Sequence, residues 1–142
     1  MIDARVYLSS FQKAEARIEI KKRQLMDLQD RLTCITAPMD KELVSHTRNV
    51  DAMPDTIALI IDLKNELEAQ TVENIRRKRE AYQLLEQIDP EKSVYLIEHY
   101  IEGKTLAEIS RTHHIEKRWV KRRIASAIAD FQLVLNQYVA QA

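Results

Sequence analysis

Residues 103–128 read GKTLAEISRTHHIEKRWVKRRIASAI, and this stretch decides the fold. Thr105 is a residue type that caps helix N-termini, and Glu108 follows at the spacing of a capping box. Leu106 and Ile109 stand three residues apart, so both can face a core on one side of a short helix. The first half of the stretch therefore predicts a short capped helix.

The second half predicts a turn and another helix. His113 and His114 are expected to form the turn, with Ile115 returning to the core. The next helix should begin near Glu116 and bury Val120, Ile124 and Ala127, which lie about one turn apart. Two short helices joined by a tight turn, with a dense basic run on the second, are typical of a helix-turn-helix.

Charge is concentrated in this stretch. The whole chain balances 22 basic against 22 acidic residues, but Lys104 to Arg123 holds seven basic and two acidic residues, a net +5. A local excess of this kind indicates a polyanionic partner. Helical geometry predicts base-reading contacts in the major groove of duplex DNA from Lys117, Arg118, Lys121 and Arg122, and phosphate contacts from Lys104, Thr105, Arg111 and Arg123.

The N-terminal part predicts two long helices. The first should run from about Asp3 to about Cys34, with a coiled-coil-like seam at Phe11, Ala14, Ile18, Lys21, Leu25, Leu28 and Leu32. Ile35 to Pro54 loses this periodicity and is expected to be a loop. The second helix should run from Asp55 to about Ile88, with an apolar face at Ile60, Leu63, Leu67, Ile75, Tyr82, Leu85 and Ile88. Because each of these helices has an apolar stripe that needs a partner, the two are expected to pack as an antiparallel hairpin.

A third helix connects the hairpin to the basic stretch. Asp89 and Pro90 suit the first positions of this helix. Its apolar side is expected to consist of Val94, Ile97, Tyr100 and Ile101, and Gly103 is expected to end it. The chain is thus expected to be all-α, with a hairpin over 1–88 and a helix-turn-helix module over 89–142. The last helix should extend to about Val139 and carry a long apolar stripe at Val120, Ile124, Ile128, Phe131, Leu135 and Tyr138. Either the hairpin or a second copy could cover this stripe, and a homodimer is the favoured prediction.

Thr105 to Ile128 resembles, without gaps, the promoter-reading helix-turn-helix of bacterial housekeeping sigma factors. The likeness rests on Thr105-Leu106, Glu108-Ile109, Ile115, Val120 and Ala127-Ile128, and it implies that the module over 89–142 is sigma-region-4-like. Glu116 departs from it, standing where Ser or Thr usually caps, and so does Arg123, which stands at an apolar position. Most of the chain also looks like small phage-encoded and prophage-encoded regulators of Gram-positive bacteria, similar to late-gene activators of the RinA and ArpU type, through Gly103-Lys104-Thr105 and Arg118-Trp119-Val120. The resemblance implies a promoter-proximal DNA site and a contact with RNA polymerase.

Other conspicuous residues have simpler interpretations. Arg76 to Arg79 are four consecutive basic residues with Glu73 and Glu80 beside them, and they are expected to form a solvated face, with a phosphate contact flanking the module as the alternative. Trp119 is expected to pack against the core, with a base or sugar contact as the alternative. The four His and the lone Cys34 have no metal-ligand spacing, and no catalytic or cofactor-binding motif is present, so we expect no enzyme, metal or cofactor. No apolar run suits a signal peptide or membrane span, and the lone Cys fits a reducing compartment, so the predicted location is the cytoplasm. The resemblance to phage regulators implies a bacterial host cell, with the protein on the nucleoid.

Three functions fit this sequence. The first is a transcription regulator that binds duplex DNA. The second is a DNA-packaging subunit similar to the small terminase of phages, which also joins a helix-turn-helix to helical oligomerisation elements. The third is a protein-interaction module that mimics a sigma region and presents its basic face to an acidic partner.

Overall fold

The computed structural model describes residues 2–36 and 43–141, and across these ranges the chain forms five α-helices and no strand. The helices are α1 (Ala4–Thr36), α2 (Leu43–Leu85), α3 (Pro90–Leu96), α4 (Leu106–His113) and α5 (Lys117–Gln141). A π-helical turn, Ile97–Ile101, continues α3. The predicted all-α class is confirmed. None of the described helices is both long and apolar enough to cross a membrane.

The predicted loop over Ile35 to Pro54 is largely wrong. Ile35 and Thr36 are the last residues of α1, and α2 begins at Leu43, with Pro54 inside it rather than before it. A proline inside a helix has no N–H to donate to the carbonyl four residues earlier and crowds that carbonyl, which costs roughly 3 kcal/mol, and α2 nevertheless continues on both sides of Pro54. Residues 37–42 of the predicted loop lie outside the described residues.

The chain forms two compact units that divide it differently from the predicted boundary between residues 88 and 89. One unit is Ala16–Glu73, and the other joins Met1–Glu15 to Asn74–Ala142. In the Ala16–Glu73 unit, Ile18 and Ile60 are buried and Lys21 Nζ donates to Glu66 Oε2 at 3.0 Å. The remaining residues of the predicted α1 seam in this unit are half-buried.

The second unit, which we call the C-terminal unit, has one hydrophobic core to which every helix contributes. Its fully buried large side chains are Leu8 and Phe11 of α1, Leu85 of α2, Leu96 of α3, Ile109 of α4 and Val120, Phe131 and Leu135 of α5. Gln132 on α5 also binds the first turn of α1, because its Oε1 accepts from the Ala4 N–H at 2.7 Å and its Nε2 donates to the Ile2 carbonyl at 2.7 Å.

This core covers most of the α5 stripe that motivated a homodimer. Val120, Ile124, Phe131 and Leu135 are buried and Ile128 is half-buried, while Tyr138 at the far end remains exposed. The stripe therefore packs on the chain's own helices, the first of the two predicted partners. A homodimer stays a prediction, but this stripe no longer supports it.

The buried face of α2 differs from the predicted one in the C-terminal unit. Ile75 and Tyr82 are exposed, whereas Asn74, Ala81 and Leu84 are buried. The buried line follows regular three- and four-residue steps through polar positions. There α1 supplies partners: Asn74 Nδ2 donates to Glu15 Oε1 at 2.9 Å, and Arg77 Nη2 donates to Ser10 Oγ at 2.6 Å. Because several side chains on the buried face are polar, the apolar pattern of the sequence predicted the neighbouring face of α2 instead.

Candidate nucleic-acid interface

The entry to α4 is fixed by the three residues Gly103, Lys104 and Thr105. Gly103 adopts φ +74°, a left-handed conformation that favours glycine. The Lys104 N–H donates to the Glu98 carbonyl at 2.9 Å, and its carbonyl accepts from His99 Nδ1 at 3.0 Å. Because both backbone groups of Lys104 are bound, the start of α4 is held against the π-helical turn.

Thr105 caps α4 as predicted. Its hydroxyl accepts from the Glu108 N–H at 3.2 Å and donates to Glu108 Oε1 at 3.1 Å. The carboxylate thus returns to the threonine hydroxyl, whereas in the usual capping box it binds the backbone N–H of the cap residue. The Thr105 side chain is consequently occupied by the cap.

The turn between α4 and α5 is closed by Ser110, a residue that sequence reasoning missed. His114 adopts the left-handed conformation (φ 56°) and donates its N–H to the Ser110 carbonyl, which also accepts from the Ile115 N–H at 3.2 Å. The Ser110 hydroxyl donates to the Ile115 carbonyl. These bonds fix the direction in which α5 leaves the turn. A serine inside a short helix carries no sequence signal for this role.

The first turns of α5 present basic residues to solvent. Val120, Ile124 and Ala127 face the core, as predicted, and the side away from the core exposes Arg118, Lys121 and Arg122, while Lys117 is exposed at the N-terminal end of the helix. Ala125 and Ala129 are exposed on the same side. Because these side chains are small, a large partner can approach the helix closely there. All four predicted base-reading residues are therefore brought together on one surface, which we call the α5 basic face.

Arg118 and Trp119 are both exposed near the start of α5, but their contacts differ. Arg118 Nε lies 2.8 Å from Glu116 Oε2, but both side chains are about two-thirds exposed, so the pair adds little stability and can exchange for another anion. Trp119 is 44% exposed, so the prediction that it packs into the core is wrong. The Arg122 guanidinium carbon lies 4.9 Å from its ring centroid, and that of Arg118 lies 5.8 Å away.

Arg123 lies beside the α5 basic face and turns toward α3. Its Nη1 donates to Tyr95 Oη at 2.6 Å. Ile124 fills the core position next to it, so the core needs no apolar side chain at position 123. Arg123 is still exposed, so its remaining N–H groups can meet a phosphate while Tyr95 fixes its position.

A buried polar cluster supports this arrangement from below. The ring of His113 lies against that of Tyr95 with centroids 4.8 Å apart, and His113 Nε2 is 3.0 Å from Glu98 Oε2. Glu98 is only 8% exposed. The cluster joins α3, the π-helical turn and α4, and no sequence pattern marked Glu98 or Tyr95 for it.

The predicted phosphate-binding residues are more dispersed than the base-reading set. Lys104 is half-buried at the start of α4, with Nζ 3.3 Å from Glu102 Oε2, and Arg111 is exposed on α4. The Thr105 hydroxyl is engaged by Glu108, so Thr105 can offer a phosphate only its backbone at the α4 N-terminus. Arg123 flanks α5. These residues lie on both helices of the pair rather than on one face.

Two other predicted features resolve plainly. Within Arg76 to Arg79, the solvated-face interpretation fits the exposed Arg76 and Arg79 but is wrong for Arg77 and Lys78, which bind Ser10 and Glu15 of α1. No group of three His, Cys, Asp or Glu among the described residues could hold a metal ion. The side chains of Cys34 and His46 lie outside the described residues.

Comparison of the chain with protein-family models, with curated proteins and with solved structures found no match.

Proposed function

We propose that this chain binds duplex DNA by inserting the first turns of α5 into the major groove, and that it acts as a transcription regulator. The observation that carries the proposal is the α5 basic face, where four cations in the first two turns are exposed on a helix whose other side is buried. An α-helix of 10–12 Å diameter fits a major groove about 12 Å wide.

The way α5 is held supports a reading role. Recognition by base edges requires a helix whose position is set before binding, because each loosely held side chain must otherwise be ordered at an entropic cost. Ser110 fixes the turn before α5, and Tyr95 fixes Arg123. In the proposed complex Lys117, Arg118, Lys121 and Arg122 meet base edges, whereas Lys104, Arg111 and Arg123 meet phosphates on either side.

The resemblance in residues 103–128 extends this proposal. It adds regulation of transcription, a phage or prophage origin, a contact with RNA polymerase and a cytoplasmic, nucleoid-associated location. DNA packaging is distinguished by the position of the bound site. Footprinting on genomic DNA is expected to locate the site next to a promoter, whereas a site at a packaging origin would favour the packaging function.

Salt dependence of binding tests the interface. Three phosphate-binding cations predict a slope of log K against log[salt] of about −2.7, since each contributes about −0.9. Lys104→Ala should reduce the magnitude of that slope by about 0.9 and weaken selected and random duplexes alike. Lys13→Ala, which removes an exposed cation from α1, is the matched control and should leave the slope unchanged. Equal slopes for all three proteins would contradict the assignment of Lys104.

A protein partner is the second candidate, and the exposed Trp119 favours it, because exposed aromatic side chains are enriched at protein interfaces. An acidic protein that binds the α5 basic face would compete with DNA. The full chain should then fail to bind any duplex from a random pool, an outcome opposite to that expected for the DNA-binding function.

A further inference from the structure

Trp119 is exposed although the core beneath it is complete. Val120 next to it is fully buried, and Ile124 one turn later fills the same core, so Trp119 is not needed to close the α5 packing. Its indole lies instead beside the guanidinium groups of Arg118 and Arg122 on the solvent side. A large aromatic side chain exposed at the N-terminal end of a reading helix is placed to make a contact outside the chain.

The chemistry of the major groove selects the kind of contact. The faces of the bases are covered by their neighbours in an intact duplex, so an indole cannot stack on them. Only base edges and phosphates remain, and the thymine 5-methyl group is the apolar feature among those edges. An aromatic side chain that enters the groove therefore fits against a thymine methyl.

The spacing of Trp119 and Arg122 relates this thymine to a guanine. The two residues are three apart, which is about 4.5 Å along a helix, while successive base pairs are about 3.4 Å apart. They can thus reach neighbouring base pairs. Arginine reads guanine through its O6 and N7 acceptors, and the indole beside Arg122 restricts the guanidinium before it binds.

We propose that Trp119 is a specificity-determining residue that contacts the 5-methyl group of a thymine in the base pair next to the guanine read by Arg122. This inference rests on the proposed DNA-binding function and narrows its ligand to duplexes in which guanine and thymine occupy adjacent base pairs.

Replacement of thymine by uracil tests the proposal, because uracil lacks only the 5-methyl group. Duplexes bound by the full chain are first selected from a random pool, and each thymine is then replaced in turn. We expect one position, beside a guanine that Arg122 requires, at which uracil weakens binding about fourfold, as one buried carbon is worth about 0.8 kcal/mol. Trp119→Ala should bind the thymine and uracil duplexes equally, and Trp119→Phe should keep part of the difference.

Leu133→Ala is the matched control, since it removes an apolar side chain that is also exposed on α5, and it should keep the full fourfold difference. Circular dichroism establishes that each variant is folded. The inference is overturned if wild type binds thymine and uracil duplexes equally at every position, or if Trp119→Ala keeps the difference. Absence of binding to any duplex overturns the proposed function and this inference together, whereas binding without a methyl effect overturns this inference alone.

Discussion

Replacement of Phe131 by alanine is expected to destabilise the C-terminal unit strongly. The Phe131 side chain is fully buried on α5, and its ring centroid lies 6.0 Å from that of Tyr7 on α1. Loss of a buried phenyl ring costs roughly 3–5 kcal/mol, because the surrounding helices close the cavity only partly. A unit of this size loses about 4–8 °C of Tm per kcal/mol, so the Tm should fall by more than about 12 °C.

Thermal unfolding followed by far-UV circular dichroism measures this change, with light scattering to report the molecular mass at each concentration. Leu133→Ala is the control on the same helix, where the side chain is 63% exposed, and should change stability by less than about 0.5 kcal/mol. A stripe buried within one chain predicts a Tm that does not depend on protein concentration. If Phe131→Ala kept the wild-type Tm but converted a dimer to monomers, the assignment of this stripe to the chain's own core would be refuted.

Three further perturbations test individual contacts. Gly103→Ala should lower the free energy of unfolding in urea by about 1–2 kcal/mol, because φ is +74°. The nearest side-chain atom to an added Cβ lies 3.9 Å away, so this cost comes from the backbone and not from a clash. A cost no larger than that of Gly103→Asn would argue against backbone strain. His113→Ala should cost about 1–3 kcal/mol, since the buried Glu98 carboxylate loses a donor, and the same change should cost less in a Glu98→Gln background; equal costs in both backgrounds would deny the coupling. Burial, reinforced by Glu80, raises the pKa of Tyr7 from 10.0 to about 12. The contribution of this shift to stability is therefore complete below pH 10 and is lost as the pH rises toward 12. Tyr7→Phe should lose less stability than wild type between these pH values, and parallel pH profiles of the two proteins would exclude the effect.

The helices that could be predicted from sequence are those with strong local signals. Asp89 accepts from the Glu91 N–H, Thr105 caps α4 and Gly103 is left-handed, because capping and a positive φ depend on a few neighbouring residues. The exposed positions of Arg118 and Arg122 followed from the buried positions of Val120 and Ile124 by helical geometry alone.

The features that could not be predicted depend on contacts distant in sequence. Asn74 is buried because Glu15, on another helix, accepts its hydrogen bond, and no periodic pattern within α2 contains that information. The boundary at residue 88 separated α5 from α1, although Gln132 binds the first turn of α1. Trp119 was assigned to the core because large aromatic side chains are usually buried, whereas here Val120 already fills the position beneath it.

The affinity of the full chain for its selected duplex relative to a scrambled duplex, with Arg122→Ala beside wild type, tests the central claim most directly. Wild type should prefer the selected duplex. Arg122→Ala should lose about 1–3 kcal/mol on that duplex and little on the scrambled one, because a bidentate guanine contact carries sequence preference whereas phosphate contacts do not. If wild type bound both duplexes equally, or if Arg122→Ala bound each as tightly as wild type, α5 would not be the reading helix.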